Sequence, residues 1–138
     1  SLPPSLLPLP LRQVMSTERK LTSFLIVIED SWGYIFGGYC PCPLQNATGY
    51  YGTGESFVFK FHPQFTPYKW TGKNDYFILS NAQHLAMGGG SGFAFQLDDE
   101  LDTGVSGPSD TFGNTRLSSR HVFKCLSIEV WAFGEMND

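Results

Sequence analysis

The chain has 138 residues, 41% of them apolar and 15% aromatic, with a formal net charge of −4. That length suits one domain with a substantial core and is too short for two. The composition argues against three classes: there is no Lys/Arg cluster to bind nucleic-acid phosphates, no apolar run near the ~20 residues of a membrane span, and an odd cysteine count unsuited to a disulfide framework.

The charge is uneven. No Lys or Arg lies between Lys73 and Arg116, an interval that holds Asp75, Asp98, Asp99, Glu100, Asp102 and Asp110. It carries −6 and leaves +2 for the rest. Such a surface suits a basic partner, and it also keeps a domain in solution. Cys40, Cys42 and Cys125 read as free intracellular thiols. Asn46-Ala-Thr48 has the form of a glycosylation triplet, which matters only in a secreted chain. The chain opens on Ser1, as a fragment or a processed chain does, and Ser1–Leu11 lacks the basic start of a signal peptide.

In chain order, Ser1–Pro10, broken by four prolines, reads as a linker or disordered tail, and residues 11–138 as a single domain. Leu11–Lys20 has Leu11, Val14 and Met15 at helical spacing, a short helix that needs tertiary support. Leu21–Ile28 is a nearly continuous apolar run, a buried strand. Glu29–Gly33 turns, and Tyr34–Tyr39 returns as the second arm of a hairpin. Cys40–Gly49 is a loop.

Tyr51–Glu55 is turn chemistry, and Ser56–Phe61 then alternates strictly. Its period of two predicts Phe57, Phe59 and Phe61 on the core face, and Ser56, Val58 and Lys60 on the other. Tyr68–Trp70 and Asp75–Leu79 are short strands. Leu85–Met87 leads into Gly88–Gly92. Phe93–Leu97 alternates again, Asp98–Phe112 is an acidic loop, and Leu117–His121 suggests a turn of helix. Cys125–Phe133 closes the chain with Leu126, Ile128 and Val130 on one face. About seven strands and little helix predict a β-dominated α+β fold, a two-sheet antiparallel β-sandwich flanked by one or two short helices.

No catalytic motif is complete. Gly49–Ser56 has phosphate-loop spacing, but Glu55 stands where the lysine must be, so phosphate is repelled. Gly88–Gly92 fails both the dinucleotide pattern and the nucleophile elbow, because residue 93 is Phe. A calcium loop starting at Asp98 needs Gly at 103 and Glu at 109, and finds Thr103 and Ser109. His62, His84 and His121 are spaced unlike metal ligands. Cys40-Pro-Cys42 is not a redox C-x-x-C motif. Glu55 is the ionisable group of most interest, expected to be partly buried at the start of its strand.

Seven blocks, in order, resemble the TLDc domain family. They are Val27-Ile-Glu-Asp with Tyr34–Gly38, Tyr50–Phe59, Tyr68–Phe77, Met87–Phe95, Leu97–Leu101, Thr111–Ser118 and Ile128–Phe133. The resemblance spans Leu21 to Phe133 and departs at the front, where only Leu11-Arg-Gln-Val14 matches the end of the family's opening helix. It implies a sandwich with no established catalytic activity or cofactor. It also implies protection against oxidative stress, and binding to the peripheral sector of the vacuolar proton pump (V-ATPase), by a cytoplasmic, monomeric domain. The expected binding residues are Gly52, Gly54, Glu55, Trp70, Gly88, Gly89, Gly90, Gly92, Asp98, Asp99, Glu100 and Asp102, with no metal site. The competing expectations are an enzyme built on the thiols or on Glu55, a membrane-trafficking module, and a structural domain whose function lies elsewhere in a longer protein.

Overall fold

A computed structural model describes residues 21–134, and the expected tail at Ser1–Pro10 and helix at Leu11–Lys20 lie outside them. Among the described residues nine strands follow in order: β1 (Leu21–Asp30), β2 (Ile35–Cys40), β3 (Phe57–His62), β4 (Thr66–Lys69), β5 (Ile78–Ser80), β6 (His84–Met87), β7 (Phe95–Asp98), β8 (Thr103–Val105) and β9 (Val122–Gly134). All neighbouring pairs are antiparallel.

The sequence predicted two sheets, and the strands instead form one, ordered β4-β3-β2-β1-β9-β8-β7-β6-β5. The reason is the length of β9. Its first residues, Val122–Lys124, pair with β8, and the remainder from Cys125 pairs with β1. One strand therefore carries both halves. Those halves meet across the core, where the Phe36 ring of β2 lies 6.3 Å from Phe95 of β7 and 5.2 Å from Phe123 of β9. The Cys40 Sγ is 3.8 Å from Met87 Sδ. Among the described residues there is no helix, and Leu117–His121 forms a bend. The expected acidic loop contains β8.

β1 buries Phe24, Ile26 and Ile28 and half-buries Leu25 and Val27, as its continuous apolar run predicts. β3 departs from the expected alternation. Val58 is fully buried in the core, while Phe57 is half-buried on the opposite face and Phe61 is 59% exposed. The cause lies across the sheet. Val58 pairs with Gly38, and a Cβ on Gly38 would sit 2.2 Å from Met87 Sδ. The facing half approaches so closely here that small residues take the inner face. Phe57 and Phe59 share the other face, where Phe57 stacks 5.4 Å from Tyr39 and Phe59 is nonetheless buried at 6% exposure.

β9 departs too. Asp30 pairs with Cys125 and Glu29 with Ser127, so Leu126 is the extra residue of a bulge. The bulge leaves Leu126 65% exposed and restores Val130 and Ala132 to the core.

Candidate functional site

The loops at the start of β3, after β4 and between β6 and β7 converge. The Gly52–Ser56 turn is closed by the Ser56 N–H donating to the Thr53 carbonyl at 3.0 Å. Trp70 follows β4 and lies flat on this turn: a Cβ on Gly54 would be 2.3 Å from its ring. The Trp70 indole N–H donates to the Asn74 carbonyl at 2.7 Å, and the ring meets Phe77 edge-on at 5.3 Å. Trp70 is thus positioned from three sides yet stays 44% exposed. Gly54 is required by this close approach rather than by its own backbone angles.

The Gly88–Gly92 loop is pinned on both sides. The Gly88 N–H donates to the Phe77 carbonyl, and the Tyr50 hydroxyl donates to the Gly88 carbonyl at 3.0 Å. The Gly89 N–H donates to the Thr111 hydroxyl at 3.0 Å, and that hydroxyl donates to Asn74 Oδ1 at 2.6 Å. Gly90 has φ +95, and a Cβ there would strike the Asp110 carboxylate. That carboxylate accepts from the Ser91 N–H at 3.1 Å. Tyr50 and Tyr76 rings lie 5.0 Å apart beside Gly89. The result is an aromatic surface of Tyr50, Trp70 and Tyr76 on a floor of glycine backbone.

The structure therefore brings Gly52, Gly54, Trp70, Gly88, Gly89, Gly90 and Gly92 together. Glu55 lies at the margin, and here the expectation of partial burial fails. Glu55 is exposed, because the next residue, Ser56, takes the inward position at 1% exposure. The Ser56 hydroxyl is buried with no hydrogen-bond partner among the described residues.

The acidic group does not join this surface. Met87 pairs with Phe95 at the glycine end of β6 and β7, while His84 pairs with Asp98 at the other end. Asp98 closes its own turn, accepting from the Thr103 hydroxyl at 2.7 Å and the Asp102 N–H at 3.1 Å. The Thr103 hydrogen bond holds its carboxyl below the ordinary value, with burial opposing it and the backbone N–H bonds adding to it. Asp99, Glu100 and Asp102 are exposed.

The thiols are shielded. Burial pushes the Cys40 thiol far up, with Cys42 adding to the effect, and burial also raises Cys42. Cys125 is pushed up to about 11 by burial and by the nearby carboxylates of Asp102, Asp98 and Asp30. Such thiols are poor nucleophiles, since the thiolate is the reactive form. The histidines are dispersed: His121 Nδ1 is 3.0 Å from the Ser106 carbonyl, and His84 sits beside Asn81. Among the described residues, no three His, Cys, Asp or Glu side chains gather to hold a metal. Also among them, no helix is long and apolar enough to cross a membrane. The aromatic surface presents rings and backbone amides, the chemistry of recognition.

Sequence reasoning missed Tyr50, Tyr76, Asp110 and Thr111 as parts of this surface. It also missed Asp30, which is fully buried and accepts from the Ser118 and Ser119 hydroxyls at 2.5 and 2.9 Å. The readable signal was Asp30 opening a Ser-Trp-Gly turn, the setting in which an Asp side chain caps backbone N–H groups. Its partners 88 and 89 residues away had no such signal.

The TLDc domain family profile matches residues 11–134. The chain is 49% identical over 113 residues to oxidation resistance protein 1 of Homo sapiens, covering 81% of this chain and 13% of that protein. It is 46% identical over 113 residues to the Xenopus tropicalis protein of the same name, again 81% of this chain and 13% of the relative. Nuclear receptor coactivator 7 of Homo sapiens is 44% identical over 110 residues, covering 79% of this chain and 12% of its own length. The chain thus matches a small part of each of these relatives.

Proposed function

The chain belongs to the TLDc domain family, and from that premise we propose a non-enzymatic interaction domain that supports resistance to oxidative stress and modulates the V-ATPase by binding its peripheral sector. The stress role is favoured by the relatives named for oxidation resistance. A binding role is favoured by one observation above all: Trp70 is held by Gly54, Asn74 and Phe77 yet remains open to a partner. A rigid, half-exposed aromatic loses little entropy on binding, which is why such residues dominate interface energetics. A cytoplasmic location is the compartment this reading requires.

The test is a pull-down of the folded domain with the pump's soluble peripheral sector at low and high salt. Binding that weakens with salt and is lost in Trp70→Ala is the expected result. A domain that melts cooperatively and binds at neither salt concentration defeats the pump reading. The rival reading is thiol chemistry, and the raised Cys40, Cys42 and Cys125 thiols weigh against it. Peroxide consumption by the domain that disappears on replacing all three cysteines with Ser would reverse that judgement.

A further inference from the structure

Among the described residues, eight large apolar side chains stand exposed, and five of them, Trp32, Phe61, Phe65, Val122 and Leu126, lie away from the aromatic–glycine surface. They cluster where β1 turns into β2, β3 into β4, and β9 begins. Ile35 pairs with His62, which sets the two turns side by side. Phe61 and Phe65 are each 59% exposed and pack edge-on against each other at 6.3 Å. Trp32 is 62% exposed, with the Arg120 guanidinium 4.3 Å over its ring. Lys60 reaches the Tyr34 ring at 5.9 Å. β3 separates this patch from the Trp70 surface by its full length, roughly 17 Å at 3.3 Å per residue.

The acidic turn borders the same patch. The Ser31 N–H donates to the Lys124 carbonyl at 3.0 Å, and the Cys125 N–H donates to the Asp102 carbonyl at 2.7 Å. The Trp32 turn and the Asp98–Asp102 turn therefore flank β9 at adjacent residues. The charges there are not equally available. Two cations, Lys60 and Arg120, already sit on aromatic rings, and Asp98 is spent closing its turn. Asp99, Glu100 and Asp102 remain exposed.

We propose that this patch is a second docking surface, for a protein segment that is apolar on one face and basic on the other. Apolar side chains of the segment seat on Trp32, Phe61 and Phe65, and its Lys or Arg residues pair with Asp99, Glu100 and Asp102. Exposed Trp, Phe and Arg are enriched at the energetic centre of interfaces, and an apolar patch rimmed by charge marks an interaction site. The inference does not depend on the pump as the partner.

The test uses a synthetic amphipathic peptide of Leu and Lys at helical spacing, with a Leu/Glu peptide of the same pattern as control. Amide chemical shifts of the folded domain are followed during titration. The expected result is saturable binding of the Leu/Lys peptide alone, with shifts at residues 31–34, 60–66 and 98–103. The double variant Phe61→Ser, Phe65→Ser weakens it about tenfold or more, the loss of at least one anchor. Asp99→Asn with Glu100→Gln weakens it and flattens its salt dependence. Trp70→Ala, at the far end of β3, leaves it unchanged. No saturable binding, equal binding of the Leu/Glu peptide, or shifts centred on residues 50–55, 70–76 and 88–92 would each overturn the proposal. Phe61 and Phe65 are exposed, so the double variant keeps its thermal transition and the comparison is of binding alone.

Discussion

Replacing Asp30 by Ala removes the acceptor of five hydrogen bonds, from the N–H groups of Trp32, Tyr34 and Ser119 and the hydroxyls of Ser118 and Ser119. These bonds tie the β1–β2 turn to the segment leading into β9, so their loss is felt by two parts of the sheet. A buried donor left without a partner costs about 1–3 kcal/mol. Trp32 is exposed, so water reaches its N–H, whereas Ser118 is buried and Ser119 and Tyr34 half-buried. With two or three donors uncompensated, the cost is about 4 kcal/mol, at the upper end of single substitutions. With a urea m value of about 1–3 kcal/mol/M, the unfolding midpoint falls by about 2 M at pH 7. Asp30→Asn is milder, since one oxygen still accepts and the Ser hydroxyls can reverse. Acid supplies the second arm. Burial raises the Asp30 pKa, but the bonds from Ser118, Ser119 and Tyr34 outweigh it and hold the value below the ordinary one. A depressed folded-state pKa contributes stability that is complete above the unfolded value, about 3.9, and vanishes as pH falls through the lower folded value. The gap between the wild-type domain and Asp30→Asn therefore narrows only below about pH 4. A midpoint shift under about 0.5 M for Asp30→Ala, or a gap between wild type and Asp30→Asn unchanged down to pH 2, refutes the reasoning.

Val58→Ala lowers stability by about 2 kcal/mol through lost burial and a residual cavity, whereas Phe61→Ser changes it by under about 1 kcal/mol; denaturant melts that rank the two the other way contradict the inward placement of Val58. Gly54→Val drives its side chain into the Trp70 ring, so Trp70 loses its bond to Asn74, its fluorescence shifts, and capture of the pump's peripheral sector falls with the fold retained. Iodoacetamide at pH 8 labels the half-buried Cys42 before Cys40 and Cys125, as peptide mass spectrometry would read. Moving Cys125 from 9.0 to about 11 cuts its thiolate fraction about 100-fold, and labelling of Cys125 as fast as Cys42 in the folded domain contradicts its shielding.

Apolar spacing in the sequence located most of the strands and the glycine and turn residues between them, but not β8, which lies inside the expected acidic loop. The run at Leu21–Ile28, and Phe95 and Leu97 of β7, carry their burial in their own spacing, because a strand's period of two or a continuous apolar run is a local property; Ala94, expected on the outer face, is fully buried and Phe93 only half-buried. The sequence by itself also determined the family, since ordered blocks of residues survive any uncertainty about packing. Tertiary structure alone decided which face of β3 is inside. Phe57, Phe59 and Phe61 outweigh Val58 in area, yet the approach of Met87 over Gly38 reserves the inner face for smaller side chains. It decided the single sheet, because only pairing shows that β9 serves both halves. It separated the acidic turn from the glycine loop, placing them at opposite ends of β7. It also joined Asp30 to Ser118 and Ser119. Contacts between residues so distant in sequence depend on how the strands assemble, and no local pattern encodes them.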